Sequence, residues 1–110
     1  MTNKYTCLSK ELLSSGQSLE SMGISEMAWK SQDTLRVIDF LANKGYAILG
    51  GDVYTCDKNG IESTYDSWFT NRTIGDSFIE DSKNKAFEYI SEYSKNNGDS
   101  YLYSIIFELA

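Results

Sequence analysis

The chain has no histidine, no proline, only two cysteines, and no apolar run long enough to cross a membrane. The missing histidine removes the commonest general base, the commonest metal ligand and the partner that activates serine or cysteine nucleophiles. Carboxylates, lysine and tyrosine remain available for chemistry, yet a non-catalytic protein without metal or cofactor becomes the expectation. Cys7 and Cys56 lie far apart and fit no metal or redox spacing. Reduced thiols are expected if the chain is cytosolic. The opening residues MTNKYTCLSKELLSS lack the basic-then-apolar order of a secretory signal. A soluble cytoplasmic protein, with no membrane partner, is therefore expected. Repeats, low-complexity stretches and linkers are absent too, so residues 1–110 are expected to form one domain.

Sixteen acidic residues against ten basic ones give a net charge of -6. Such a surface repels phosphate backbones and disfavours direct nucleic-acid binding. It suits a basic protein partner, because opposite fields speed encounter and select partners. The same charge also serves solubility.

Residues Leu8 to Leu13 fit a short helix ending near Gly16. Leu19, Met22, Ile24, Met27 and Trp29 read as a flap covering the core, with a partner surface as the alternative. A helix is predicted over 31–44: Ser31 as N-cap, Asp33 in the first turn, Leu35, Ile38, Leu41 and Ala42 at helical spacing, and Gly45 to end it. A second is predicted over 77–95. Ser77 and Glu80 form a capping-box pattern, Ile79, Ala86, Ile90 and Tyr93 make a stripe, and Asn96-Asn97-Gly98 stops it. Tyr101, Tyr103, Ile105, Phe107 and Leu109 alternate, which predicts a strand over 100–109 with one apolar face.

Between the helices runs YAILGGDVYTCDKNGIESTYDSW. Asn59-Gly60 is a strong hairpin signal, since a type I′ turn needs two positive φ angles. It predicts strands over 46–56 and 61–68, with Lys58 facing Ile61, Tyr54 facing Tyr65 and Asp52 facing Ser67. Asp52, Tyr54 and Cys56 then share a face with Ser63, Tyr65 and Ser67. A bulge at Gly50-Gly51 would alter this register. Ala47-Ile48-Leu49 is apolar on both faces, as in a buried central strand. Beyond the glycines, Tyr54, Tyr65, Trp68 and Phe69 lie among Asp52, Glu62 and Asp66. Aromatics among acids fit a surface for a basic partner, and equally a cross-strand tyrosine pair with an aspartate bonding the turn.

Other chemistries fit less well. A phosphate loop needs its glycines between a strand and a helix, whereas DVYTCD continues as strand. Asp57-Lys58-Asn59-Gly60 lacks the later ligands of a calcium loop. Asp52 and Asp66 would suit carboxylate acid/base chemistry on a carbohydrate or another small ligand, which stands as the alternative function.

The helix leading into GYAILGGDVY, the turn, TYDSWF, the helix carrying AFEYI and the terminal strand together resemble immunity protein family 40, bacterial antidotes encoded beside polymorphic toxins. The lead-in MGISEMAWKSQDTLRVIDFL is similar as well, and the likeness runs from Leu19 to Phe107. More loosely, ILGGD, TYD and the closing strand resemble the immunity protein of the colicin that cleaves tRNA anticodon loops, an acidic nucleic-acid mimic. The resemblance implies a monomeric inhibitor of a basic toxin domain, with a ribonuclease as one candidate. The expected fold is α+β: three main antiparallel strands, two principal helices on one face and a short N-terminal helical segment. The expected toxin-binding residues are Asp52, Tyr54, Glu62, Tyr65, Asp66, Trp68 and Phe69.

Overall fold

The computed structural model describes residues 4–71 and 77–110. Its helices are α1 (Lys10–Ser15), α2 (Ser31–Asn43) and α3 (Phe78–Asn97). Its strands are β1 (Gln17–Ser18), β2 (Met27–Lys30), β3 (Tyr46–Asp57), β4 (Gly60–Phe69), β5 (Tyr101–Tyr103) and β6 (Ile106–Leu109). The strands form one antiparallel sheet in the order β1-β2-β5-β3-β4, with β6 also paired to β3. The fold is α+β, as expected, and β3 is its central strand.

One core lies between the helices and the sheet. Leu12, Val37, Ile38, Leu41, Ala86 and Ile90 meet Trp29, Ile48, Val53, Tyr103 and Ile105 there. The alternation of the last segment holds as far as Phe107, since Tyr103 and Ile105 are buried and Tyr101 and Phe107 pack against the same cluster, while Leu109 is exposed. The predicted strand 100–109 is interrupted at Ser104-Ile105, yet Val53↔Tyr103 and Gly50↔Ile106 keep one register. At the break, the Asp52 amide donates to Ser104 Oγ (3.2 Å) and the Ser104 amide to the Asp52 carbonyl (3.0 Å).

The flap expectation is met for Leu19, Met22 and Ile24, whereas Trp29 lies in the main core and Met27 packs against it. Leu19 is buried with Ala28, Tyr54 and Leu102, and Met22 and Ile24 pack on them. Tyr54 and Leu102 oppose one another across β3 and β5, on the face away from the core built by Val53 and Tyr103. The flap thus shields one end of the sheet face that carries no helix.

Two caps differ from the sequence reading. The boundary residue of α2 is Lys30 rather than Ser31, because β2 runs directly into the helix. The Thr34 hydroxyl, fully buried, lies 3.0 and 2.8 Å from the Trp29 and Lys30 carbonyls and ties that junction together. Ser77 does precede α3, but its hydroxyl pairs with Asp81 at 3.0 Å and makes no cap bond, so no capping box forms. Gly45 behaves as expected, adopting φ +91° just past the end of α2.

Ser82 interrupts the apolar stripe of α3 for a reason the pattern hides. The one-residue register shift between Ile48 and Gly50 disturbs the ladder locally, and the buried Ser82 hydroxyl accepts the Ile48 amide at 3.0 Å. A buried amide without that acceptor would be costly.

Candidate partner-binding surface

The surface begins where β3 leaves the core. Gly50 has φ +156°, and a Cβ on it would run into the backbone of Trp68 and Phe69 on β4. At Gly51 a Cβ would collide with the Ser104 carbonyl and the Trp68 ring. Both glycines let three strands and an indole approach closely, with no room for a ligand beneath them.

The hairpin forms in a different register from the one Asn59-Gly60 predicts. Asp57 pairs with Gly60, so the two-residue loop is Lys58-Asn59. The Asp57 carboxylate accepts the Asn59 amide at 2.7 Å, and only Gly60 has positive φ, at +109°. This local side-chain bond replaces the type I′ turn. From there Tyr54 pairs with Ser63, not Tyr65, while Asp52 does pair with Ser67. Thr64, Tyr65 and Asp66 together therefore oppose Val53 alone. Two extra residues preserve the alternation, which keeps Asp52 with Ser67 on one face and Trp68 on the other.

Two of the seven predicted residues belong to the core. Tyr54 is 4% exposed beneath the flap, and Trp68 is 6% exposed, lying over Gly51 and stacked on Tyr89 at 5.0 Å. They shape the surface from below. Glu62, Tyr65, Asp66 and Phe69 are exposed, Tyr65 by 92% and Phe69 by 67%, and Asp52 is half-buried. Burial pushes the Asp52 carboxyl above the usual carboxylate range, and the charge of Glu26 adds to this. Glu26 itself pairs with Lys4 at 3.4 Å, whereas no described cation lies within ion-pair distance of Asp52, Glu62 or Asp66.

Helix α3 contributes residues that the sequence did not single out for the site. The Tyr93 hydroxyl donates to Asp66 at 2.8 Å. Its ring sits 5.9 Å from Tyr89, 5.3 Å from Tyr101 and 6.0 Å from Tyr103. Burial pushes the Tyr103 hydroxyl up to about 12, so it stays protonated. Lys85 lies 5.8 Å from the centre of the Phe69 ring and lines a groove with Asp81, Asn84, Glu88, Tyr89 and Glu92. The four-residue spacing of Tyr89 and Tyr93 was the available signal, since it places both on one helix face.

Asp66 reaches toward α3, while Asp52 pairs with Ser67 on the opposite face. The two carboxylates do not converge on one cleft, which disfavours paired acid/base chemistry. What the hairpin offers instead is carboxylates with no ion pair among the described residues beside exposed aromatic rings, an arrangement suited to a basic protein surface.

No curated protein and no solved structure matches this chain. A family model described as immunity protein 40 does, over residues 18–107. The chain therefore belongs to the immunity protein 40 family, and so is an immunity protein of a polymorphic toxin system, whose partner is a cognate toxin protein.

Proposed function

We propose that this protein neutralises its toxin by binding as a monomer, one to one, in the cytoplasm, and covering the toxin's active cleft with the β4 edge of the hairpin, presenting Glu62, Tyr65, Asp66 and Phe69, with Asp52 on the far face of that edge. The observation that carries this reading is the hairpin's set of exposed rings beside Asp52, Glu62 and Asp66, carboxylates with no ion pair among the described residues, in a chain of net charge -6. A basic cleft gains its missing counter-charges on binding, and the rings supply apolar area where they leave water. A ribonuclease is the toxin class that fits best. Its cleft is built for phosphates and bases, which carboxylates and aromatic rings imitate. No catalysis and no direct contact with nucleic acid is needed.

Co-expression with the C-terminal domain of the neighbouring toxin is expected to restore growth and to yield a one-to-one complex by size-exclusion chromatography. Continued killing, with no complex recovered, would contradict the reading.

A further inference from the structure

We propose that the bulge Thr64-Tyr65-Asp66 is the part of this surface that enters the toxin, with Tyr65 as an aromatic anchor in a pocket and Asp66, steered by Tyr93, against a basic side chain at the pocket's rim. This rests on the toxin-binding reading above.

Among the described residues, Tyr65 is the one non-glycine with positive φ, at +66°. A side chain is disfavoured in left-handed backbone, and strain of this kind persists where the surrounding structure imposes it, often at functional positions. The fold gains little in return. The ring is 92% exposed and has no aromatic partner among the described residues.

The bulge is also held rigid by its own side chains. Ser63 Oγ accepts the Tyr65 amide at 3.0 Å, and Thr64 Oγ1 accepts the Asp66 amide at 3.1 Å. The same Thr64 hydroxyl donates to the Val53 carbonyl at 2.9 Å. β4 is an edge strand, and a bare edge invites another strand to add. Here the Tyr65 and Asp66 amides are already engaged, so recognition falls to projecting side chains rather than to an added strand.

Asp66 completes the arrangement. One oxygen accepts the Tyr93 hydroxyl, and no described cation lies close enough to neutralise the carboxylate. Tyr93 is in turn fixed by the rings of Tyr89, Tyr101 and Tyr103. It is a positioning residue that aims an anion, and charge complementarity points to lysine or arginine on the toxin.

The test titrates four variants, by calorimetry, with the C-terminal domain of the toxin encoded beside this chain. Tyr65→Gly is expected to melt at or above the wild-type temperature while binding at least about tenfold more weakly. Tyr93→Phe should weaken binding several-fold, yet add nothing in an Asp66→Asn background, a coupling that a merely structural role would not produce. If the wild type binds and Tyr65→Gly binds equally well, the bulge assignment falls and the toxin-binding reading stands. Additive effects of Tyr93→Phe and Asp66→Asn would overturn the role given to Tyr93. If the wild type itself fails to bind, both proposals fall together.

Discussion

Gly51→Ala is expected to destabilise the fold by about 3 kcal/mol, the upper end of what overpacking a well-filled site costs. The added methyl would meet the Ser104 carbonyl on one side and the Trp68 indole on the other. Neither retreats easily. Ser104 is held by paired backbone and hydroxyl bonds to Asp52, and Trp68 is clamped against Tyr89. Urea denaturation should show a lower midpoint with an unchanged slope. A midpoint equal to that of the wild type would mean that the close approach of β3, β4 and the last segment is not tight at this point.

Substitutions of Asp52 are expected to separate stability from binding. Its carboxyl is raised in the folded state, chiefly by burial and then by Glu26, so the folded protein holds this proton more tightly than the unfolded chain. The cost of ionising Asp52 is absent below the unfolded carboxylate pKa and grows as pH rises through the folded value. Asp52→Asn should therefore melt higher than the wild type at neutral pH, with the gain disappearing on acidification below the carboxylate range. Asp52→Lys should weaken toxin binding by about a hundredfold, since it replaces an attraction to a basic cleft by a repulsion. Calorimetric titration at about pH 7 and thermal melts at about pH 7 and about pH 3, either side of the carboxylate range, read the two effects separately. Unchanged affinity in Asp52→Lys would remove this residue from the interface.

Much of the fold was legible because period and punctuation agreed. The apolar run before Gly50, the glycine after Lys44 and the alternation from Tyr101 to Phe107 each located an element that is present. Gly50-Gly51 was legible as a place for a bulge, and the structure has a register shift against β6 between Ile48 and Gly50. Asn59-Gly60 located the hairpin but misplaced its loop by one residue, because the Asp57 carboxylate captures the Asn59 amide and leaves Gly60 alone to take positive φ. The bulge left no mark in the pattern, since two extra residues return every side chain to its face. Tyr54 and Trp68 looked like surface anchors because aromatics beside acids do. Their burial is decided by the flap at Leu19 and by Tyr89 on α3, contacts made across long sequence separations. Tyr93 read as core, and its hydroxyl is what joins α3 to Asp66.

Amide hydrogen exchange, measured with and without one equivalent of the toxin domain, tests the proposed surface most directly. Slowed exchange concentrated in Glu62 to Phe69, extending to Asp52 and the Tyr89 to Tyr93 turn of α3, is the predicted result. Protection confined to α1, α2 or β1, with the hairpin amides exchanging as before, would contradict it.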